Sequence, residues 1–423
     1  MHTRSPITWV STLYLAEGLP FYTVALIAGL MYKSMGVGND EIARWTGLLG
    51  LAWVFKPLWS PLLEAAASKK ALVVFFQFTG AACLALVALA LQLPSWFAMS
   101  IGVLALVSLA SATHDIAADG LYIASLSDKQ QAAYAGWQGA FFNAAKFISL
   151  GGLVILAGYF ERRMPVANAW TLIFGLLGAM MAALACYHLW ALPAVKNAPH
   201  PESMFDTLRD VVVDFFRKPG IWLAILFIVL FRAGEGQIQT IGPLFLREAR
   251  GAGGLGLSTD EVGLLYGTVG TGAFLVGSVL GGYFTSWLGL KRAMLALILA
   301  MNLPNAVFYF LSATAPSSLA VIGAALGVEM FGYGFGFVGV ILFIMQVVAP
   351  GRYTTAHYAL GTGVMQLGLV LFKTISGDIQ TVLGYERFFL WVLLCAIPVI
   401  VVSRFLTIGA KHESAPAPQP AEA

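Results

Sequence analysis

Long apolar stretches separated by short polar connections run through almost the whole chain. The apolar core of a bilayer is about 30 Å thick, and about 20 helical residues cross it. By that length the chain contains twelve predicted spans, divided into two sets by a polar interval rich in proline. They lie near 7–31, 42–65, 71–91, 95–126, 131–158 and 168–192, and then near 219–247, 260–287, 291–312, 316–348, 353–382 and 386–408. The pattern predicts an all-α membrane protein with twelve transmembrane helices.

The polar interval 193–218 divides the chain into an N-terminal six-helix bundle, 1–192, and a C-terminal six-helix bundle, 219–410. Inside the interval, apolar residues recur at helical spacing opposite three aspartates, which predicts an amphipathic helix on the inner membrane surface. A plain solvated linker is the alternative. The apolar positions are Phe205, Leu208, Val212 and Phe215. The Pro- and Ala-rich segment 411–423 is predicted to be disordered.

A weak internal repeat agrees with two related halves. The turn after the second span, Glu64–Lys70, ends in two lysines, and the turn after the eighth span, Ser286–Arg292, ends in Lys-Arg. Transporters built from structural repeats show such symmetry and place their binding site between the repeats.

The composition is that of a protein dissolved in lipid. Hydrophobic residues make up 59% and charged residues 11% of the 423 residues, whereas soluble domains carry about 25% charged residues. The net charge of +3 and the absence of long basic runs give no basis for nucleic-acid binding. Lys and Arg are more frequent in the loops on the side of the N-terminus, which predicts an inner-membrane protein with both termini cytoplasmic. The opposite side holds Lys33, Arg44, Arg162, Arg163, Arg247, Arg250 and Arg387.

Signatures of catalysis are lacking. Cys83, Cys186 and Cys395 stand singly in apolar stretches, which gives neither metal-ligand spacing nor a disulfide framework. The segment 334–339 fits GxGxxG, but it lies within an apolar helix where the glycines serve helix packing. We therefore expect no cofactor, no bound metal and no enzyme activity. A membrane-embedded transferase is the alternative from the enzyme class.

Nine charged residues lie inside the predicted spans, where each is costly unless it is paired or faces water. They are Glu17, Lys56, Asp115, Asp119, Lys146, Arg232, Glu235, Glu329 and Lys373. Spans one, four, seven and ten carry six of them, spans two, five and eleven carry the other three, and spans three, six, nine and twelve carry none.

This distribution, the six-plus-six topology, the linker and the paired basic turns resemble the major facilitator superfamily. The motifs Tyr14–Pro20 (YLAEGLP), Phe55–Pro61 (FKPLWSP) and Ala112–Gly120 (ATHDIAADG) resemble its AmpG-type branch of muropeptide, acetyl-coenzyme A and siderophore permeases. The resemblance implies two pseudo-symmetric six-helix bundles. It also implies that spans one, four, seven and ten line a central cavity, while every third span faces lipid.

The first half holds the candidate proton-coupling residues Glu17, Asp115 and Asp119. Asp115 and Asp119 share one helical face at i,i+4, where two ionised carboxylates would repel each other. His114 is a candidate for substrate orientation or proton relay. The alternatives are an ion pair of Glu17 with Lys56 and a gating ion pair of Asp119 with an inner loop.

Candidate substrate-binding residues occur in both halves. Lys146 either holds an anionic group of the substrate or neutralises Asp115, and Arg232 either binds substrate or is neutralised by Glu235 at i,i+3. The amides supply neutral donors and acceptors of the kind that recognise sugars. The full predicted set is His114, Lys56, Gln138, Asn143, Lys146, Arg232, Glu235, Gln237, Gln239, Glu329 and Gln366.

Three residues are candidates for gates. Lys373 and Asp378 are predicted to form a lock on the outer side, with a purely structural pair as the alternative, and Glu64 is assigned to a gate at the turn after the second span.

The buried acids suggest proton coupling, and the resemblance to the AmpG-type branch implies the cargo; the leading hypothesis is proton-coupled import of a cell-wall-derived amino sugar or muropeptide, of the N-acetylmuramic acid or anhydro-muropeptide type. A ferric-siderophore importer of the same fold is the alternative. The expected partners are a small-molecule substrate, protons and membrane lipid, with no nucleic acid, and the protein is expected to be a monomer.

Overall fold

The computed structural model describes residues 5–64, 68–194 and 204–407. The predicted disordered segment 411–423 lies outside these residues. Ten helical stretches in the described chain are long and apolar enough to cross a membrane. The last of them, Ala356–Ser403, is broken at Gly384, where φ is 70° and ψ is 169°, and it therefore supplies two helices. The ten stretches thus supply eleven helices. A further helix, kinked at Gly50, runs from Asn39 to Glu64 and is the twelfth, so the prediction of twelve helices is confirmed.

We number the membrane helices in chain order. They are α1 Ile7–Ser34, α2 Asn39–Leu49 continued by Leu51–Glu64, α3 Lys69–Ala90, α4 Trp96–Ser125, α5 Lys129–Glu161, α6 Val166–Ala191, α7 Ile221–Arg247, α8 Thr259–Leu288, α9 Leu290–Thr314, α10 Leu319–Val348, α11 354–383 and α12 385–403.

Four of the membrane helices contain a wider, π-helical segment. These segments are Thr23–Ile27 in α1, Phe147–Leu153 in α5, Gly263–Gly270 in α8 and Ile344–Val348 in α10. A π segment adds a residue to one turn and leaves backbone groups partly unpaired, and such segments concentrate at functional sites. In α1, Pro20 adds a second perturbation, because proline donates no backbone hydrogen bond. All four of these helices contribute residues to the central cavity described below.

The two six-helix halves meet along α5 with α8 and along α2 with α11. Glycine makes the first of these contacts possible. A Cβ atom on Gly267 would lie 2.2 Å from the carbonyl oxygen of Leu150, and one on Gly151 would lie 2.8 Å from Oγ1 of Thr268. The backbones of α5 and α8 therefore touch where side chains would hold them apart.

A helix at Met204–Arg217 lies in the interval between the halves. Its Phe215 is almost completely buried and contacts the ring of His357 near the start of α11, with ring centroids 5.6 Å apart. His357 Nε2 also lies 3.2 Å from the carbonyl oxygen of Val211. This helix is therefore docked on the C-terminal half by its apolar face. The predicted helix is present, and its placement on the inner membrane surface stays a prediction, since Val213 and Phe216 on it remain exposed.

Candidate functional site

A central cavity of about 300 Å³ lies between the two halves. Its walls come from α1, α2, α5, α7, α8, α10 and α11. The polar groups that line it include Thr46, Asn143, Lys146, Arg232, Gln239, Gln366 and Lys373. The aromatic ones are Phe21, Tyr22, Trp53, Phe142, Phe274, Tyr333 and Phe337. Three cations, three amides and an aromatic wall thus surround one space.

The cations of the cavity are held by the helices on either side. Lys146 Nζ lies 4.9 Å from the centre of the Phe274 ring, and the Arg232 guanidinium lies 5.1 Å from that of Phe337. These are cation–π distances, which help to compensate a charge removed from water. Arg232 is also paired with Glu235 at 2.8 Å, the neutralising pair that the i,i+3 spacing suggested.

Lys146 also faces two acidic residues of the C-terminal half. It shares a small adjoining cavity with Glu235 and Glu329, and Gln239 Nε2 donates a hydrogen bond of 3.0 Å to Oε1 of Glu235. Glu329 is almost fully buried. The alternative in which Lys146 neutralises Asp115 is therefore wrong, because the side chain points from α5 towards α7 and α10.

The three predicted proton-coupling acids come together. One carboxylate oxygen from each of Glu17, Asp115 and Asp119 lies within 4.8 Å of the others. Lys56 forms an ion pair with Asp115, so the alternative pairing of Lys56 with Glu17 is not observed. Tyr14 donates a hydrogen bond of 2.8 Å to Asp119, and that tyrosine in turn accepts one from Gln138.

Gln138 therefore orients the acidic cluster through Tyr14, while Asn143, one and a half turns further along α5, lines the cavity. Lys56 likewise serves the cluster and does not line the cavity described above.

His114 points away from the cavity. Its Nε2 accepts a hydrogen bond of 2.9 Å from the Gln77 amide, whose oxygen accepts one of the same length from His188. His188 accepts a third from Thr12. This chain joins α1, α3, α4 and α6 inside the N-terminal half, so His114 makes no contact with the cavity in this conformation.

Gln237 is also internal to its half. It donates to the carbonyl oxygen of Ala233 at 2.9 Å and accepts from the Trp391 indole at 3.0 Å. Gln237 and Gln239 are two residues apart, which turns their side chains about 200° from each other on α7, so Gln239 lines the cavity and Gln237 faces the interior of the C-terminal half.

The predicted lock between Lys373 and Asp378 is wrong. Five residues along one helix turn the side chains about 140° apart, which points them in different directions. Lys373 donates instead to the carbonyl oxygen of Ala25 at 2.5 Å, and Asp378 pairs with Arg44 at 2.7 Å. The side chain of Glu64 lies outside the described part of the structure.

Ion pairs between the halves form a closed end that the sequence did not predict. We define the closed end by Lys33 with Glu248, Arg44 with Asp378, Arg162 with Asp260 at 2.5 Å, and Arg247 with Glu161 at 3.8 Å. The sequence places the four cations of these pairs in loops or at helix ends on the side of the membrane opposite the N-terminus. Their partners lie in the other half of the chain, and no local pattern connects them.

Comparison with known proteins supports this architecture. Residues 10–373 match the family model described as Major Facilitator Superfamily. The anhydromuropeptide permease of Escherichia coli (strain K12) is 25% identical over 398 residues, covering 92% of this chain and 77% of the permease. The putative transporter AmpG 4 of Rickettsia conorii is 22% identical and covers 93% of this chain and 94% of its own length.

Solved structures show the same fold. The nucleoside transporter NupG superposes with a TM-score of 0.69 at 17% identity, covering 94% of this chain and 96% of that one. A D-xylose–proton symporter superposes with a TM-score of 0.66 at 12% identity, covering 94% and 96%. The match of the family model over most of the chain identifies the family. The chain belongs to the major facilitator superfamily, as a multi-pass secondary transporter of a small molecule and not an enzyme.

Proposed function

We propose that this transporter imports a cell-wall-derived amino sugar that carries a carboxylate, of the N-acetylmuramic acid type, together with protons. The observation that carries the proposal is the combination of cations, amides and aromatic rings around the central cavity. Lys146 is suited to a lactyl or peptide carboxylate, since it donates charge-assisted hydrogen bonds. Arg232 is paired with Glu235, but a guanidinium has five N–H donors and keeps some of them for the same carboxylate. Asn143, Gln239 and Gln366 offer both donors and acceptors to hydroxyl and acetamido groups.

The size of the cavity favours the smaller members of this substrate class. Pockets for small molecules span about 300–1,000 Å³, and the cavity here is at the lower limit with about 300 Å³. One sugar ring with its acyl and lactyl groups fits that volume better than a disaccharide with a peptide. Two relatives carry names of the same kind, anhydromuropeptide permease and putative transporter AmpG 4.

The acidic cluster supports proton coupling. Glu17, Asp115 and Asp119 bring three carboxyl groups together within 4.8 Å, and Lys56 supplies one positive charge. Full ionisation would leave an excess of negative charge in a setting of low dielectric, where like charges repel strongly. Binding of protons relieves that repulsion. Asp119 is exposed at the end of the molecule opposite the closed end, where protons can leave.

We assign the direction, import, as part of this proposal, and it rests on the predicted topology. The loop cations that the sequence places outside the cytoplasm include Lys33, Arg44 and Arg162 of the closed end. With that orientation the conformation is closed to the outside and its acidic cluster faces the cytoplasm. Release of substrate and protons into the cytoplasm is the step that this conformation serves.

Uptake into proteoliposomes tests the proposal. With radiolabelled N-acetylmuramic acid and an inward proton gradient, we expect accumulation that collapses when a protonophore is added. Asp115→Asn and Glu17→Gln should each reduce gradient-driven uptake at least tenfold, because they remove protonatable groups from the cluster. Glu41→Gln, an exposed acid at the start of α2, is the matched control and should transport normally. Normal gradient dependence in both cluster variants would refute the proton role.

The substrate is tested separately from the coupling. Competition with unlabelled N-acetylmuramic acid, its anhydro form and a ferric siderophore should rank the two sugars above the siderophore. Lys146→Met should raise the half-saturating sugar concentration roughly tenfold or more, the loss expected when a hydrogen bond to a charged group is removed. Stronger competition by the siderophore would replace the proposed substrate and leave the coupling mechanism standing.

A further inference from the structure

A groove of about 1010 Å³ lies on the surface of the C-terminal half, away from the central cavity, at the turn between α8 and α9. One wall is formed by the end of α8 and the turn, and the other by α10. The polar and aromatic residues that line it are Thr285, Ser286, Trp287, Lys291, Arg292 and Gln346. The groove is separate from the central cavity, and transport as described above makes no use of it.

The two cations of the groove are exposed, and neither makes an ion pair or hydrogen bond with a residue that the structure describes. Lys291 and Arg292 follow Gly289 in the first turn of α9. Positive charges in the first turn of a helix oppose the helix dipole, so helix stability does not explain them. Their charge is available to a partner outside the chain.

The related turn in the first half differs in this respect. There Lys70 donates a hydrogen bond of 2.9 Å to the carbonyl oxygen of Leu192, and Lys69 is almost fully buried. Both lysines are therefore engaged by the protein. The basic pair is common to the two repeats, but only the pair after α8 is left facing outwards.

The face of α8 that leads to the groove is strongly apolar and ends in aromatic residues. Val276, Val279, Tyr283 and Trp287 recur at helical spacing, and Trp287 is 82% exposed. Tyrosine and tryptophan at the end of an apolar helix face mark the level of the lipid headgroups. The apolar stripe thus lies where acyl chains would run, with the two cations at headgroup depth.

We propose that this groove binds the headgroup of an anionic phospholipid. The phosphate lies against Lys291 and Arg292, Trp287 packs at the glycerol level, and the acyl chains follow α8. Charge complementarity selects the occupant: the groove offers two unpaired cations and no acidic side chain among its lining residues. Basic pockets between membrane helices bind acidic headgroups in this way.

Native mass spectrometry of the full-length protein, titrated with phosphatidylglycerol or phosphatidylethanolamine, tests the proposal. We expect bound phosphatidylglycerol to exceed bound phosphatidylethanolamine at equal concentration. Lys291→Gln with Arg292→Gln should weaken phosphatidylglycerol binding roughly thirtyfold, since each cation at a membrane surface contributes about 1 kcal/mol. The matched control, Arg209→Gln with Arg404→Gln, removes two other exposed cations and should leave that affinity unchanged.

Three outcomes would overturn the proposal. They are equal binding of the two lipids, unchanged phosphatidylglycerol binding in the Lys291/Arg292 double variant, and displacement of the lipid by millimolar inorganic phosphate, which would make the groove a site for the free anion. Trp287→Ala gives a second readout, because it should weaken phosphatidylglycerol binding without changing net charge. Thermal unfolding of every variant establishes that loss of binding does not come from loss of fold.

Discussion

At the scale of single residues, the buried polar side chains divide into those that face the pathway and those that hold helices together. Asp115 and His114 are neighbours in the chain, yet Asp115 pairs with Lys56 beside the pathway while His114 hydrogen-bonds Gln77. Consecutive residues of a helix point about 100° apart, so one can face the pathway while its neighbour faces the interface with another helix. Their adjacency in sequence therefore does not imply a shared role.

Gln77 is the residue on which the internal chain of hydrogen bonds depends. Gln77→Leu should leave the rings of His114 and His188 without their buried partner and destabilise the protein by roughly 1–3 kcal/mol. The measurement is thermal unfolding in detergent. Gln92→Leu is the control: the Gln92 side chain is exposed and donates a hydrogen bond to Thr171 at the surface, so the melting temperature of this variant should hardly change. Equal melting temperatures for the two variants would contradict the structural role of Gln77.

At the scale of elements, the contact between α5 and α8 brings the backbones of the two halves together. It runs through the π segments Phe147–Leu153 and Gly263–Gly270, and glycines on both sides remove the side chains that would separate the backbones. In an interface packed this tightly, even one added methyl group is felt. We therefore expect the α5–α8 contact to influence which end of the transporter is closed.

Gly267→Ala should favour the conformation in which the closed end opens. The added Cβ would sit 2.2 Å from the Leu150 carbonyl oxygen, and overpacking of this kind costs roughly 1–3 kcal/mol in the closed arrangement. Spin labels at Glu41 and Ser317, in a Cys186→Ser background, report the separation of the halves at that end. We expect a longer-distance population in the variant.

Gly282→Ala is the control for this experiment. Gly282 lies on the same helix, and its Cβ would enter open space, so the distance distribution should match that of the parent protein. A Gly267→Ala distribution identical to that of the control would show that the α5–α8 contact does not determine closure.

At the scale of the whole molecule, ion pairs between distant parts of the chain hold the closed end together. Glu248 at the end of α7 binds Lys33 and also accepts a hydrogen bond of 3.1 Å from Tyr385. Burial alone would raise the pKa of Glu248, but the hydrogen bond and charge of Lys33 outweigh it and hold that pKa below its ordinary value of 4.5. The carboxylate is thus ionised throughout the physiological range.

The sign of the pH dependence follows from the lowered pKa. Closure contributed by Glu248 is fully present above its ordinary pKa and is lost as the pH falls through the lowered value. The distance between labels at Glu41 and Ser317 should therefore stay constant from pH 8 to about 5.5. Glu248→Gln should lengthen it at every pH, whereas Glu386→Gln, an exposed acid near the same end, should not. If the distance between the labels in the unmutated protein increased near pH 7, the prediction would be wrong, and this end of the molecule would respond to physiological pH.

The sequence by itself determined the number of helices, the division into halves and the helices that carry charge. It could do so because bilayer thickness and the cost of a buried charge act on each segment separately. The gathering of Glu17, Asp115 and Asp119 was foreseeable for the same reason, since few helix faces tolerate a carboxyl.

Only the tertiary structure decided which partner each charge takes. Lys56 forms its ion pair with Asp115 and not with Glu17, and Lys146 lines a small cavity together with Glu329. Lys373 is bound to a backbone carbonyl of α1 and not to Asp378. Partner choice depends on the rotation of each helix and on how closely the helices approach, and both are set by packing between segments that lie from 59 to 348 residues apart in the chain. That packing leaves no trace in the periodicity of any one segment.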